Sequence, residues 1–323
     1  MGIDADSRIL VTGGKGFLGR VVCEKLKAVG YNRVIDLPGS RAPMSLNLTR
    51  HIDVVHLFNY HKPDIIVHLA ARVGGIGANK ENPGRFFYDN MAMGLHLIEE
   101  ARKKNCEKFL LTSTVCSYPK FTPVPFKESD IWDGYPEETN APYGVAKKAL
   151  MEMLQAYRNQ YGMNGVTLIP VNMYGPGDNF DPNSSHVIPA LILKFKQAIA
   201  NNEKEVIVWG SGKASREFLY VDDCAEAIVT AVEGYDEPHP VNIGTGKEVT
   251  IKDLATTIAE LCGFEGEIVW DSSKPDGQPR RCLDTQMAKS YFGFEASTDL
   301  QDGLKKTIEW FDESNLLDSY TGC

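Results

Sequence analysis

Tyr143 and Lys147 stand four residues apart in the segment PYGVAKKAL, which has the composition of a helix. Residues at this spacing share one face of a helix, so both side chains can reach one ligand. Tyrosine titrates at about pH 10, and a neighbouring cation lowers the cost of the phenolate. Thr114, at the end of the predicted strand KFLLTST, can hydrogen-bond the same oxygen. An exposed amphipathic helix is the alternative, but the combination predicts a triad of Thr114, Tyr143 and Lys147 that exchanges a proton with a substrate.

Three glycines follow the first hydrophobic segment at GxxGxxG spacing, in the sequence TGGKGFLGR. At a strand-to-helix turn, such glycines let backbone N–H groups approach a pyrophosphate and aim the helix N-terminus at its charge. A generic tight turn is the alternative, but a position at the first strand-to-helix turn favours a dinucleotide site. The residues predicted to contact the cofactor here are Gly13, Gly14, Lys15, Gly16, Phe17, Leu18 and Gly19.

The sequence carries two signals on the choice of nicotinamide cofactor. Asp36 ends the second predicted strand, where an acid hydrogen-bonds the ribose 2′-hydroxyl and favours NAD(H). Arg41 lies in the following loop, and Lys15 in the glycine loop is a second cation. A cation near this position favours the 2′-phosphate of NADP(H), so both cofactors remain open at this point.

The elements that carry these residues alternate between short β-branched runs and helical stretches. A helix is predicted at 17–29 and another at 90–104. Continuous apolar strands between amphipathic helices indicate a parallel sheet covered on both faces. We therefore predict a doubly wound, Rossmann-type α/β fold. The predicted strands are 8–12, 33–36, 64–70, 108–114 and 165–172.

The pattern changes at about Gly175, where a loop rich in Gly, Pro and Asn begins. We expect a smaller, mainly C-terminal lobe that binds the substrate and is interleaved with the first domain. The predicted cofactor domain comprises residues 1–178, with 219–246 returning to it. The predicted substrate lobe comprises 179–218 and 247–323.

Composition and charge exclude several classes of protein. A net charge of −9 argues against broad binding to nucleic acid, which needs a basic face. No apolar run approaches the roughly 20 residues of a membrane-spanning helix. The first residues, MGIDADSRILVTGG, do not have the basic and apolar pattern of a secretory signal, so we expect a cytoplasmic protein. The seven cysteines are scattered without a CxxC pair, which predicts free thiols and no metal site.

Motifs throughout the chain resemble those of the GDP-L-fucose synthases, within the extended short-chain dehydrogenase/reductase family. They are TGGKGFLG, HLAARVGGIGANK, STVCSYPK, YGVAK, PVNMYGPGDNF, SSHVIPAL, VIVWGSG, REFLYVDD, NIGTG and SKPDGQPR. The resemblance implies a homodimer that epimerises C3 and C5 of GDP-4-keto-6-deoxy-D-mannose and reduces C4 with NADPH. It also implies further cofactor contacts at Leu69, Ala70, Ala71, Lys147, Pro170, Asn172, Met173 and His186.

The resemblance further implies that Cys116 and His186 are the acid and base of the epimerisation. Protons at C3 and C5 flank the C4 ketone, so their removal gives an enolate that Thr114 and Tyr143 can stabilise. Inversion needs one group to remove a proton and another to deliver one on the opposite face. A thiol and an imidazole titrate near enough to neutrality for both roles. Outside these motifs, a buried structural thiol and a surface or capping histidine are the plainer interpretations.

The same resemblance implies a set of residues that hold the GDP-sugar. Cations suit a diphosphate, and a tryptophan can stack on a base or sugar. A surface cation, a core tryptophan or a turn-forming asparagine is the alternative for any single member. The implied residues are Asn172, Lys194, Trp209, Arg216, Asp276 and Arg281.

Competing functions remain. Nucleotide-sugar 4,6-dehydratases carry an Asp-Glu pair after the active-site threonine, whereas this chain has Val115 and Cys116. UDP-hexose 4-epimerases need no thiol and histidine pair and match less well. The alternatives kept are an enzyme for another GDP-linked 4-keto sugar, of the GDP-colitose or GDP-heptose type, and a catalytically silent cofactor-binding protein.

Overall fold

Six parallel strands form the central sheet of the computed structural model, which describes residues 4–37, 46–274 and 276–321. The strands of the described chain are β1 (Arg8–Thr12), β2 (Arg33–Leu37), β3 (Ile65–His68), β4 (Lys108–Thr112), β5 (Gly165–Pro170), β6 (Asn172–Tyr174), β7 (Glu205–Trp209), β8 (Ser215–Tyr220), β9 (Val241–Ile243), β10 (Glu248–Thr250) and β11 (Glu267–Asp271).

The central sheet has the order β2-β1-β3-β4-β5-β9. The order in which strands are added reverses at β1, because β2 lies on one side of it and β3 on the other. Val11 of β1 accordingly pairs with Asp36 of β2 and with Val67 of β3. In open parallel sheets, ligands bind beyond the carboxyl ends of the strands at such a reversal. The predicted doubly wound parallel sheet is confirmed.

Helices connect and cover these strands. Those of the described chain are α1 (Phe17–Ala28), α2 (His51–His61), α3 (Ile76–Glu81), α4 (Pro83–Lys103), α5 (Ala141–Tyr161), α6 (Val187–Ala200), α7 (Val221–Gly234), α8 (Ile251–Cys262), α9 (Gln286–Phe292), α10 (Leu300–Glu313) and α11 (Leu316–Thr321). Long helices α4 and α5 pack together, and Gly94 of α4 leaves room for the Leu150 side chain of α5.

The predicted strands occur with changed ends. The run 64–70 is a strand only over Ile65–His68, and 108–114 ends at Thr112. The run 165–172 divides between two sheets, because β5 pairs with β4 and β9 whereas β6 pairs with β8. The hydrophobic pattern does not show where each strand ends or which sheet it joins, because the residues on both sides of these boundaries are similarly apolar.

A second group of elements packs beside the central sheet. Strands β6, β8 and β10 form one small sheet, and β7 pairs with β11 in another. Apolar side chains of α6, α8 and α10 form their own cluster, which includes Phe195, Ile258 and Phe311. Residues 282–294 do not join that cluster, because Leu283 and Phe294 pack in the core of the central sheet. This segment, predicted as part of the substrate lobe, therefore packs on the central sheet.

Two features are absent from the described residues. Within that part of the chain, no helix is both long and apolar enough to cross a membrane. The same residues contain no group of three or more His, Cys, Asp or Glu side chains arranged to hold a metal ion.

Candidate active site

Helix α5 begins at Ala141 with Pro142 in its first turn, where the fixed φ of proline suits a helix start. It carries Lys147 into the protein, with 1% of the side chain exposed. The Lys147 Nζ donates to the Thr112 carbonyl oxygen at 2.9 Å, at the end of β4. Burial lowers the pKa of Lys147 to about 8. The ammonium therefore titrates close to physiological pH.

Tyr143 lies one helical turn before Lys147 and faces the residues that follow β4. Burial raises the pKa of the Tyr143 hydroxyl, the negative charge of a Cys116 thiolate raises it further, and a hydrogen bond with Thr114 opposes both. The pKa of Tyr143 is therefore raised overall, whereas a cation at Lys147 was expected to lower it. Tyr143 is consequently a neutral phenol, which is the form that can donate a proton.

Thr114 and Cys116 share a 3₁₀ turn at Val115–Ser117, immediately after β4. The Thr114 side chain caps this turn and accepts a hydrogen bond from the Cys116 N–H at 3.2 Å. The Ser117 hydroxyl donates to the Gly144 carbonyl oxygen at 3.1 Å, which ties the turn to α5. Gly144 also packs against the Cys116 carbonyl group with no room for a side chain. The structure thus brings Thr114, Cys116 and Tyr143 together.

His186 directly precedes α6, at its N-cap position. Solvent reaches the imidazole, yet burial by the surrounding protein lowers its pKa. The lowered pKa makes the neutral imidazole the main form near pH 7. The preceding loop contacts the loop after β3, where the Gly75 N–H donates to the Ser184 carbonyl oxygen at 3.3 Å. His186 therefore lies at the same edge of the sheet as the residues after β4.

The loop after β3 is held by a buried asparagine. Asn90 of α4 is 1% exposed and accepts from the Arg72 N–H at 2.9 Å. Its side-chain amide donates back to the Arg72 carbonyl oxygen at 2.9 Å. This reciprocal pair fixes the path of residues 72–75, and so the position of the His186 loop beside them.

The glycine loop fits a dinucleotide. Gly13 has a φ of +73°, and a Cβ there would lie 3.1 Å from the Ala70 nitrogen. A Cβ on Gly19 would collide with the Gly13 carbonyl group, so only glycine permits this closeness of helix and turn. No side chain caps the first turn of α1. The first-turn N–H groups of α1 therefore remain available to a pyrophosphate.

The other predicted loop residues divide by exposure. Lys15 and Gly16 are exposed, Phe17 is half-buried, and Leu18 is 8% exposed and packs in the core. Asp36 is exposed at the end of β2, where a Cβ on Gly14 would lie 2.8 Å from the Asp36 Cα. The Asp36 side chain thus starts beside the loop. Arg41, the predicted counter-signal, lies outside the described residues.

Predicted cofactor contacts lie at the carboxyl ends of β3 and β5. The N–H of Ala70 donates to the Thr12 hydroxyl at 3.2 Å, and that of Leu69 to the Thr12 carbonyl oxygen at 3.3 Å. Ala71 follows them, half-buried. Pro170 ends β5 and is buried, whereas Met173 in β6 is half-buried. The Asn172 side chain donates to the Glu217 carbonyl oxygen at 3.4 Å, which is a structural contact.

Two predicted nucleotide contacts form a cationic and aromatic surface. Trp209 is 65% exposed, and the Nζ atoms of Lys194 and Lys274 lie 5.8 and 5.4 Å from its ring centroid. Lys194 also donates to the Ile207 carbonyl oxygen at 2.9 Å. An exposed indole flanked by two ammonium groups can stack on a base and contact an anion.

Arg216 and Arg281 are close enough to repel one another. Burial lowers the pKa of Arg216 to about 10, and the charge of Arg281 lowers it further. The Asp276 carboxylate accepts from the Ser211 N–H at 2.6 Å and from the Ser211 hydroxyl at 2.7 Å. Asp276 therefore holds its loop in place. Two partly desolvated guanidinium groups make a site for an anion such as a diphosphate.

His68 contacts Thr12 and lies close enough to Lys147 for their charges to interact, but it is not among the residues predicted from the sequence. It is fully buried at the end of β3, with its Nδ1 2.8 Å from the Thr12 hydroxyl. Burial, followed by the positive charge of Lys147, holds its pKa well below the usual value. A neutral imidazole thus stands between the first cofactor turn and Lys147. The sequence could have indicated this position, because His68 directly precedes the predicted cofactor contacts Leu69 and Ala70.

Comparisons with known proteins identify the family of this chain. The model of the NAD dependent epimerase/dehydratase family matches residues 9–244. A protein named "Probable GDP-L-fucose synthase 1" from Oryza sativa subsp. japonica is 41% identical over 312 residues, covering 96% of this chain and 94% of that protein. GDP-L-fucose synthase from Escherichia coli (strain K12) is 38% identical over 316 residues, covering 95% and 97%.

Solved structures are similar over nearly the whole chain. A GDP-L-fucose synthetase from Naegleria fowleri bound to NADP superposes with a TM-score of 0.88 at 26% identity, covering all of this chain and 98% of that one. A GDP-6-OMe-4-keto-L-xylo-heptose reductase from C. jejuni has a TM-score of 0.90 at 28% identity, covering 98% of this chain and 100% of that one.

Proposed function

We propose that this chain, which belongs to the NAD dependent epimerase/dehydratase family, converts GDP-4-keto-6-deoxy-D-mannose to GDP-L-fucose as a 3,5-epimerase and NADPH-dependent 4-reductase. The observation that carries the proposal is the Cys116 thiol beside the Tyr143 hydroxyl, whose pKa it affects. A proton-donating phenol suffices for reduction alone, whereas a thiol at the same carbonyl adds the group that epimerisation needs. Relatives named as GDP-L-fucose synthases match along nearly the full chain, which supports this substrate.

The epimerisation uses the residues after β4 and the His186 loop. Thr114 and Tyr143 hydrogen-bond the C4 oxygen and stabilise the enolate formed when C3 or C5 loses a proton. Cys116 and His186 exchange protons with the two faces of each carbon. The neutral His186 imidazole favoured by burial can accept a proton near pH 7. Each inversion returns the ketone, so the second can follow the first.

The reduction uses Tyr143 as the proton donor to the C4 oxygen. The nicotinamide cofactor, when bound, would supply the hydride to C4. The raised pKa of Tyr143 keeps the phenol protonated until the developing alkoxide takes its proton. The Lys147 ammonium, one turn away, stabilises the phenolate that remains.

The proposed cofactor is NADP(H), supported by the NADP-bound Naegleria structure. Gly13, Gly16 and the first turn of α1 would hold its pyrophosphate, and Leu69 to Ala71 would border its nicotinamide half. Asp36 beside Gly14 is suited to a ribose hydroxyl, so NADH is included as a test.

The GDP-sugar would lie between the sheet edge and the second cluster of helices. In this arrangement Arg216 and Arg281 bind the diphosphate, while Trp209 and Lys194 contact the nucleoside. The division into a cofactor domain of residues 1–178 and 219–246 and a substrate lobe from the rest is part of the proposal, although Leu283 and Phe294 of that lobe pack in the core of the central sheet. The separate hydrophobic cluster of α6, α8 and α10 supports it.

A homodimer paired through α4 and α5 is also proposed. Phe87 and Leu95 are 40% and 41% exposed, with half-buried Met91 between them at four-residue spacing. This spacing makes one apolar stripe on α4. Wild-type protein should have twice the 35.8 kDa chain mass by light scattering, and Leu95→Glu should reduce it toward one chain. A wild-type mass of a single chain would contradict the dimer.

A cytoplasmic location completes the proposal. The described cysteines Cys23, Cys106, Cys116, Cys224, Cys262 and Cys282 are all free thiols. Free thiols are the usual state in the reducing cytosol, whereas secreted proteins commonly pair them.

The function is tested by incubating the protein with GDP-4-keto-6-deoxy-D-mannose and either NADPH or NADH. NADPH should be oxidised, and NMR should identify GDP-L-fucose. Tyr143→Phe is the control for contaminating reductase activity. An absence of nicotinamide oxidation would exclude the proposal and favour a silent cofactor-binding protein.

The alternative substrate is another GDP-linked 4-keto sugar. Similarity to the C. jejuni heptose reductase favours testing a GDP-4-keto-heptose, and the GDP-colitose precursor is the second candidate. The three substrates should be compared by kcat/KM under one condition. A higher value for either alternative would overturn the choice of 6-deoxymannose.

A further inference from the structure

Arg281 reaches the proposed acid–base thiol from a distant part of the chain. Its side chain is 9% exposed, and its Nη1 points to the Cys116 Sγ at 3.8 Å. This distance is within range of a hydrogen bond to sulfur, which is a large and weak acceptor. The thiol therefore has a permanent cationic neighbour supplied by the protein itself.

Gln278 fixes the orientation of that guanidinium group. Its side-chain oxygen accepts from the Arg281 Nε at 3.3 Å and from Nη2 at 3.0 Å. Its side-chain nitrogen donates to the Lys120 carbonyl oxygen at 2.8 Å. Lys120 lies four residues after Cys116, so Gln278 ties the arginine to the same segment that carries the thiol. With Nε and Nη2 occupied, Nη1 is the nitrogen directed at sulfur.

The charges around Cys116 are mainly positive. Arg216 is a second guanidinium group that interacts electrostatically with Cys116. The acidic group nearby, Asp276, directs both carboxylate oxygens to Ser211. Tyr143 is neutral, as described above. Cations next to a thiol favour the thiolate, which is the form that accepts protons and reacts with electrophiles.

We infer that Arg281, oriented by Gln278, is a positioning residue for Cys116 that directs the sulfur and stabilises the thiolate formed when the thiol gives up its proton. This inference rests on the proposed function, because it concerns the acid–base group of that reaction. It gives Arg281 a task beyond contact with a diphosphate, and it assigns a role to Gln278. The interaction exists before any substrate binds.

Alkylation by iodoacetamide tests the inference without substrate. The Cys116 peptide is quantified by mass spectrometry over a range of pH, which gives the midpoint for thiolate formation. Arg281→Met should move this midpoint upward by about one pH unit and slow alkylation about tenfold at neutral pH. Gln278→Leu should move it in the same direction by less. Arg281→Lys should react faster than Arg281→Met but slower than wild type, because lysine keeps the positive charge and loses the two guanidinium hydrogen bonds to Gln278.

Arg280→Met is the matched control. Arg280 is the adjacent arginine, but it is exposed and pairs with Glu248. Its removal should leave the Cys116 midpoint at the wild-type value. If Arg281→Met also left the midpoint unchanged, the inference would be wrong, even if the variant bound substrate poorly. A shift of the same size in Arg280→Met would also overturn the inference, because the Cys116 midpoint would then depend on the overall charge of the region and not on the contact with Arg281.

Deuterium exchange separates this inference from the proposed function. In D₂O with GDP-4-keto-6-deoxy-D-mannose, Arg281→Met should incorporate deuterium at C3 and C5 about tenfold more slowly than wild type at saturating substrate. If wild type showed no incorporation while the alkylation midpoint still depended on Arg281, the proposed function would fail and the thiol inference would hold. Incorporation at the wild-type rate by a saturated Arg281→Met enzyme would reject the inference alone.

Discussion

Gly144 of α5 packs directly on the carbonyl group of Cys116, at a separation that no Cβ could occupy. This contact sets the distance between the helix that carries Tyr143 and the turn that carries Thr114 and Cys116. The Ser117 hydroxyl strengthens it through the Gly144 carbonyl oxygen at 3.1 Å. The glycine in YGVAK is thus a packing requirement of the site.

Gly144→Ala should therefore destabilise the protein, although alanine favours helices. The clash is with backbone, and overpacking of this kind costs about 1–3 kcal/mol. Denaturant unfolding measures the loss, and reduction of C4 should fall together with it because Tyr143 is displaced. Gly84→Ala in α4, where a Cβ would meet open space, is the matched control and should be neutral or slightly stabilising. Equal stability of the two variants would contradict this account.

Tyr143→Phe and Cys116→Ser should separate the two halves of the reaction. Loss of the phenol should reduce C4 reduction by about 10²–10⁴-fold, the usual contribution of a general acid, while some exchange at C3 and C5 persists. Loss of the thiol should block that exchange. NMR in D₂O and NADPH absorbance report the two activities separately. Normal formation of the L-configured product by Cys116→Ser would show that the thiol is structural.

The reductase should lose activity on the alkaline side with a midpoint near pH 8. The pKa of Lys147 is lowered from 10.5 to about 8, so the ammonium is present below that pH and lost above it. Loss of the charge removes the stabilisation of the Tyr143 phenolate. The pH profile of kcat/KM, which reports the ionisable groups of the free enzyme, measures the effect. Lys147→Met should lack this limb, and a wild-type profile that stays flat to about pH 10 would refute the assignment.

Asp178→Asn should stabilise the protein above neutral pH. Burial raises the pKa of Asp178 from 3.8 to about 7, and its Oδ2 is buried without a hydrogen-bond partner among the described residues. The folded protein therefore holds the proton more tightly, and the stability gained from this declines as pH rises from 3.8 to about 7. Removing this partly desolvated charge should be worth about 1 kcal/mol, or about 1–2 °C in Tm for a chain of this length.

The pH dependence supplies the control for Asp178→Asn. Well below the Asp178 pKa of about 7, the native side chain is protonated and resembles asparagine, so wild type and variant should melt together. The difference should appear only as pH passes that value. A constant difference at every pH would show that the effect is one of packing.

Local patterns were enough for the sheet and the positions of its first turns. The run RILVT, the glycines after it and YxxxK each report on a few neighbouring residues, and these strands and helices occur where they were predicted. The strand ends were not predicted correctly from the local pattern. At Val171, for example, one apolar run divides into two strands that belong to different sheets.

The surroundings of each side chain were decided by tertiary structure alone. Sequence predicted that Lys147 would lower the pKa of Tyr143, but burial raises it, and burial depends on every element packed around α5. Arg281 contacts Cys116 across 165 positions of sequence, through a loop held by Gln278. Residue types and local periodicity identify the groups able to do chemistry. Their charges and partners depend on which distant segments exclude water from them, and only the folded chain determines that.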